Sequence, residues 1–165
     1  MELLQLYDEN INRVDESVDR AIKNSIPNNR FFMVIIVFIQ NEEGKFLVQY
    51  TSPQRGSIYA FTGGHVNYGD DYYETVFKEA YEELGLKLDK DKLHYVAMKP
   101  YQKAYCAIYH YKDNIDINNL VLQKEEVENV YWLSKDEIED LIDKDLLRTS
   151  NIELFRIVND YLDKA

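Results

Sequence analysis

The sequence predicts an α/β fold, an α/β/α sandwich built on a mixed β-sheet, and three observations carry that expectation. The run Arg30 to Gln40 (RFFMVIIVFIQ) is β-branched and aromatic, and reads as a strand buried on both faces. The segment Tyr72 to Leu84 has helical periodicity between a start and a stop marker. Strand-like runs on either side of that helix, with two further helix-like segments near the C-terminus, complete the alternation.

Taken in order, Leu3, Leu4, Leu6 and Tyr7 are expected to form a short edge strand, and Asp8-Glu9-Asn10 a turn. Val14, Val18, Ala21 and Ile22 have helical spacing, with a second extended arm as the other reading, and Ser25 to Asn29 ends the segment. Residues 1–30 therefore form an N-terminal extension, part of or packed on a domain comprising 31–165. After the Arg30–Gln40 strand, Asn41-Glu42-Glu43-Gly44 makes a hairpin turn and Lys45 to Ser52 returns as a strand. Pro53 to Gly56 is a loop, and Ile58 to Phe61 a short strand that stops at a Gly63-Gly64 turn. The helix that follows has Asp71 and Glu74 as a capping box. Tyr73, Val76, Phe77, Ala80 and Leu84 form its apolar stripe, and Gly85 is its left-handed cap. Leu93 to Met98 and Lys103 to Tyr111 are strands joined around Pro100, and Lys112 to Asn119 is an exposed loop. Val127 to Leu133 is another strand. Ser134-x-x-Glu137 opens a helix through Ile142, and Asn151 to Leu162 is a closing helix.

A chain of 165 residues suits one domain with a sizeable core. The net charge of −11, from 19 basic and 30 acidic residues, argues against a nucleic-acid polymer as partner. The same charge repels a phosphate substrate unless a bound hard cation offsets it locally. Cys106 is the single cysteine, which excludes an intrachain disulfide and a thiolate metal cluster; within its strand-like run it reads as structural. The N-terminus lacks the basic and apolar regions of a secretory signal, and the longest apolar run is too short for a membrane helix. A cytoplasmic protein without membrane contact is the expectation. The N-terminal segment could also pair with a second subunit, giving a homodimer.

The informative stretch is Gly63 to Asp71 running into the helix that carries Glu79, Glu82 and Glu83. Spacings of three and four place these carboxylates on one helical face, where like charges repel unless a cation sits among them. Unaided, such a face is usually only solvated. A divalent metal among the carboxylates, serving a phosphate-containing substrate, is the other reading and the one expected here.

Gly64, Asp70, Lys78, Glu79, Ala80, Glu82, Glu83, Gly85 and Leu86 stand in the frame of a known motif: Gly, five residues, Glu, seven residues, Arg-Glu-U-x-Glu-Glu-x-Gly-U, with U a bulky aliphatic. With that spacing kept, the chain resembles the Nudix hydrolase family. Asp70 replaces the first Glu, Lys78 replaces Arg, and Ala80 stands where a larger aliphatic is usual. The first swap shortens a carboxylate by one methylene; the second loses the bidentate fork of a guanidinium. Leu6-Tyr7-Asp8-Glu9-Asn10 and Gly64-His65-Val66 are similar to the Nudix subgroup related to isopentenyl diphosphate isomerase.

The resemblance implies a Nudix-like sandwich over residues 31–165. It also implies hydrolysis of the pyrophosphate linkage in a nucleoside diphosphate-type small molecule, with Mg²⁺ or Mn²⁺. Glu79 and Glu83 would be direct metal ligands, Glu82 a ligand through water or a base, and Gly64 a backbone acceptor. Gly63 would let the backbone approach the pyrophosphate, and Glu125 or its neighbour Glu126 would supply another acid. Arg55, Tyr59 and Lys78 are the candidate substrate contacts, through phosphate or base stacking. Two alternatives stay open: an isopentenyl diphosphate isomerase-like enzyme, which would need Cys106 in the site, and a non-catalytic module that senses a nucleotide.

Overall fold

A computed structural model describes residues 1–165. The strands are β1 (Leu3–Tyr7), β2 (Arg13–Asp19), β3 (Phe31–Gln40), β4 (Phe46–Thr51), β5 (Tyr59–Ala60), β6 (Thr62–His65), β7 (Leu93–Tyr101), β8 (Ala104–Lys112) and β9 (Val127–Leu133). The helices are α1 (Tyr72–Leu84), α2 (Lys135–Asp143) and α3 (Thr149–Asp163). All nine strands belong to one sheet. It is mixed because β3 runs parallel to β8, from Phe32 opposite Ala104 to Gln40 opposite Lys112, while its other pairings are antiparallel.

The sheet forks at one place, and the fork positions the site. β3 and β4 leave their hairpin paired only at Gln40–Phe46. Further along, β6 lies on β3 with Gly64 opposite Ile35, whereas β4 is flanked by β5 and β9. Where the two halves diverge, Gln49 of β4 donates from Nε2 to Thr62 Oγ1 of β6 at 2.8 Å.

α1 covers one face of the sheet: Val76, Ala80 and Leu84 pack with Met33, Ile35, Val37 and Tyr109. α2 and α3 cover the other, where Ile138, Phe155 and Val158 pack with Ile36, Phe38, Phe46 and Ile108. Each buried Leu, Val or Phe contributes about 1.5–3 kcal/mol of transfer free energy, so the two clusters fix the sandwich. No helix is long and apolar enough to cross a membrane.

Several local expectations are corrected. Gly63 and Gly64 lie inside β6, and the turn comes later, at Tyr68-Gly69. β1 is an internal strand, since β2 pairs on its outer side and takes the edge. Residues 13–19 are thus the extended arm, and only a 3-10 turn, Arg20–Ser25, follows. The β7–β8 hairpin turns at Gln102, whose φ is +54°, and not at Pro100, which lies in β7 opposite Tyr105. β7 is an edge strand, where a missing N–H is tolerated. Asp71 is the N-cap of α1 by position, but its side chain makes no cap; its carbonyl oxygen instead accepts from Thr75 N at 3.0 Å and Thr75 Oγ1 at 2.7 Å. The Ser134–Glu137 capping box forms as expected.

Candidate active site

Gly64 and α1 fit together through a missing side chain. A Cβ on Gly64 would stand 2.5 Å from Glu79 Oε1, so the carboxylate occupies space that any other residue would fill. One turn on, Glu83 is 6% exposed and accepts from Gln49 Nε2 at 3.2 Å. The apolar stripe and the acid face therefore merge: Glu83 is buried among Val76, Ala80 and Leu84, whereas Glu82 is exposed. The three-carboxylate face resolves into a buried Glu83, a half-buried Glu79 and an exposed Glu82.

Burial sets the electrostatics of Glu79 and Glu83. Desolvation, followed by the Glu82 and Glu126 charges, pushes the Glu79 carboxyl up to about 7. Desolvation and then the Glu79 charge push Glu83 up to about 8, against the Gln49 hydrogen bond. Neither acid has an ion-pair partner in the structure. Buried carboxylates in this condition are stabilised by a hard cation, and their oxygens suit Mg²⁺ or Mn²⁺. No three His, Cys, Asp or Glu side chains converge into a ready-made metal centre, however.

The C-terminal cap of α1 brings in the next acid. Gly85 (φ +65°) turns the chain, with its N–H on Tyr81 O and that of Leu86 on Ala80 O. Any Cβ there would come within 3.0 Å of Val121 Cβ. The segment after Leu120 docks on the freed carbonyls, Val121 N to Leu84 O and Gln123 N to Glu83 O, both at 3.0 Å. It continues to Glu125 and Glu126. Ser52 Oγ donates to the Glu125 carbonyl at 2.7 Å, and the Glu125 side chain is exposed. Glu126 is the one that faces the cavity, where its carboxylate pairs with Arg55. Of the two neighbouring acids, the structure thus brings Glu126 to the site and leaves Glu125 outside.

The cavity has a volume of about 910 Å³, and Gly63, Gly64, Glu83, Glu126 and Arg55 all line it. Gly63 is needed for packing as well, because a Cβ there would run into the Ile35 carbonyl oxygen. Lys78 lies outside: its Nζ is 3.3 Å from Asp70 Oδ2 in an exposed pair. Two of the three departures from the motif therefore bind one another, with little energy at stake. Tyr59 is not on the wall either; its ring packs with Tyr50 (centroids 4.9 Å apart) and Tyr131 (6.1 Å).

Four cavity groups had no mark in the sequence. Gln49 sits in a strand pattern that shows only a polar residue among apolar ones. Arg148, on the linker before α3, donates to the Arg55 carbonyl at 3.3 Å; burial and then Arg55 lower its pKa. Arg20 and Lys23 come from the 3-10 turn of the N-terminal segment. Cys106 also reaches the wall, 5% exposed, with its thiol pushed up to about 12 by burial. His65 is half-buried, and burial followed by the Arg20 and Lys23 charges pushes its pKa down to about 3, so it is neutral.

A family model described as NUDIX domain matches residues 30–154. Among solved structures, a Deinococcus radiodurans protein is similar over 94% of this chain and 98% of its own, with TM-score 0.75 and 21% identity. A C. elegans Ap4A hydrolase in a binary complex is similar over 80% of this chain and 99% of its own, with TM-score 0.59 and 18% identity. A NUDIX hydrolase from Nitrosomonas europaea is similar over 81% and 90%, with TM-score 0.61 and 17% identity. At these identities the likeness is one of fold.

Proposed function

This chain belongs to the NUDIX domain family, and on that premise we propose that this Nudix hydrolase cleaves the pyrophosphate linkage of a nucleoside diphosphate-type small molecule with the help of Mg²⁺ or Mn²⁺. The observation that carries the reading is the Glu79–Glu83 pair beside Gly64, a half-buried and a buried carboxyl raised to about 7 and about 8 with no ion pair of their own. Glu79 and Glu83 would hold the metal, with Glu126 close enough to add charge and the Gly64 backbone as a further acceptor. A divalent ion bound there supplies charge neutralisation on the phosphate oxygens and a lowered pKa for the attacking water.

The chain's own groups do the rest. Gln49 holds Glu83 in place through the Thr62-anchored amide, so the carboxylate needs no reorganisation when substrate enters. Arg55 and Arg148, on the same cavity, offer guanidinium donors to phosphoryl oxygens, and Glu126 keeps Arg55 oriented. Glu126, half-buried beside the acidic pair, is the best-placed group to take a proton from water, and Glu82 at the rim is the second choice. Glu125, Tyr59 and Lys78 have no part in this arrangement. Arg55 and Gly63 both line the cavity, whose volume of about 910 Å³ suits a small nucleotide-like diphosphate.

The test is purified protein against a panel of nucleoside diphosphate derivatives, with Mg²⁺, Mn²⁺ and EDTA compared. Phosphate-containing products that require metal and disappear in Glu83→Gln support the proposal; turnover indifferent to metal or to Glu83→Gln removes it. One observation keeps a second reading alive: Cys106 is on the wall of the same cavity. An isopentenyl diphosphate isomerase-like enzyme would convert its substrate without phosphate release and lose that activity in Cys106→Ser.

A further inference from the structure

Arg20 and Lys23 lie upstream of the residues 30–154 that match the family model, yet both line the cavity. Pairing separates the cavity's cations into two kinds. Arg20 is held by Glu2 at 3.1 Å, Lys99 by Glu153 at 3.1 Å, and Arg55 by Glu126. Lys23 and Arg148 have no carboxylate partner, and Arg148 is spent in part on the Arg55 carbonyl.

Lys23 is held, but by groups that leave its charge intact. Its Nζ donates to His65 Nε2 at 2.9 Å. An ammonium can only donate, so Nε2 accepts and the ring proton sits on Nδ1. Nζ also lies 5.2 Å from the centre of the Phe32 ring, on which His65 stacks with centroids 5.7 Å apart. Two ammonium protons remain for the cavity. A half-buried cation without a counter-ion is unfavourable in a way that a bound anion relieves.

Position says which anion. His65 follows Gly64 on β6, and the Glu79 carboxylate rests on Gly64. Strand side chains alternate, so His65 and Lys23 lie on the face of β6 opposite to the Glu79 carboxylate, and it is the cavity that joins them to the acids: Lys23, His65, Arg55, Glu83 and Glu126 all line it. Arg55 bridges the two ends, since its charge acts on both His65 and Glu83, so a diphosphate held at the acids and Arg55 shares the cavity with Lys23.

We propose that Lys23, carried by the N-terminal extension, is an anion subsite of the cavity that takes a charged phosphoryl oxygen of the substrate's diphosphate group, so that residues 1–30 form part of the active site. The inference rests on the diphosphate reading above for its substrate, but not for its test. Lys23 acts as a binding group; His65 positions it.

The experiment is calorimetric titration of the full chain with inorganic pyrophosphate in EDTA, for the wild type, Lys23→Met, Lys23→Arg and the surface control Lys92→Met, whose lysine pairs with Asp113. Lys23→Met is expected to weaken binding by about tenfold or more, the loss of one charge-assisted hydrogen bond. Lys23→Arg should restore most of it, and Lys92→Met should bind as the wild type. Unfolding midpoints check that each variant is folded, and Lys23→Gln replaces Lys23→Met under the same criterion if the latter is not. Wild-type protein that binds no pyrophosphate, Lys23→Met binding as tightly as wild type, or Lys23→Arg binding no better than Lys23→Met would overturn the proposal. Lys23-dependent binding without hydrolysis of any panel compound leaves the subsite standing and removes the hydrolase reading. Metal-dependent hydrolysis with binding and KM indifferent to Lys23 removes the subsite alone.

Discussion

Replacing Glu83 with Gln should stabilise the metal-free protein and abolish its response to metal. Glu83 is 6% exposed, and its carboxyl is raised from 4.5 to about 8. A group whose folded pKa lies above its unfolded one stabilises the fold fully below the lower value and loses that contribution as pH rises through the higher. The window here runs from pH 4.5 to about pH 8. Each pKa unit corresponds to about 1.4 kcal/mol, so between the lower edge and neutrality the wild type forfeits on the order of 3 kcal/mol. Glutamine has the same shape, keeps an oxygen for the Gln49 N–H and carries no charge. The assay is urea unfolding of wild type and Glu83→Gln from pH 5 to pH 8.5, in EDTA and in Mn²⁺. In EDTA the wild type should weaken with rising pH, and the variant should hold a flatter profile and be the more stable above neutrality. In Mn²⁺ the wild type should regain stability, about 2.7 kcal/mol at a hundredfold excess over Kd, while the variant gains little. A variant less stable than wild type at pH 8 in EDTA, or equally stabilised by Mn²⁺, would refute the reasoning.

Further outcomes are expected elsewhere in the site. Gly64→Ala puts a Cβ against the Glu79 carboxylate, the free end of a flexible side chain. Turnover should fall by roughly 10²-fold while urea unfolding shifts by less than about 1 kcal/mol. Glu126→Gln should lower kcat by about tenfold or more relative to Glu125→Gln in steady-state assays, because only Glu126 faces the cavity. His110, 4% exposed and bonded to Gln40, has its pKa pushed down to about 4 by burial, then by His94 and Lys112. Its unfolded form binds protons more readily, so its contribution is present above pH 6.5 and is lost as pH falls towards 4; His110→Gln should flatten that acid limb of the unfolding profile. The buried Cys106 thiol should resist iodoacetamide at pH 8 in the native state and react after unfolding, as mass spectrometry would show.

How much of this was legible in the sequence depended on how local each signal was. α1 and β9 have the bounds that periodicity and end signals predict, Tyr72–Leu84 and Val127–Leu133, because nothing distant competes with those signals. The Gly63-Gly64 pair reads locally as a turn. What makes glycine necessary there is tertiary: the Ile35 carbonyl against one residue and the Glu79 carboxylate against the other. Val14 and Val18 fit a helix as well as a strand, and pairing with β1 decides for the strand. Helical spacing puts Glu79, Glu82 and Glu83 on neighbouring positions, but which of them is buried follows from the sheet beneath, which spacing does not contain.

The same distinction holds for the rest of the site. The sequence ranks Glu125 just ahead of Glu126, and the order is reversed by Ser52, whose hydroxyl and amide bind the carbonyls of both residues and fix the register. Lys23, Gln49 and Arg148 reach the cavity from three separated parts of the chain. Asp70 and Lys78 looked like losses from the motif taken one at a time, and the ion pair they form with each other is visible only in three dimensions.

The central claim is that the Glu79–Glu83 pair serves metal-dependent cleavage of a phosphoanhydride. The most direct measurement follows the ³¹P NMR spectrum of a nucleoside diphosphate derivative incubated with wild-type protein and Mg²⁺, with EDTA and Glu83→Gln as parallel samples. The account predicts that anhydride resonances give way to phosphomonoester resonances only with wild type and metal. Anhydride signals that persist with wild type and metal across the panel, or that decay equally with Glu83→Gln, would contradict it.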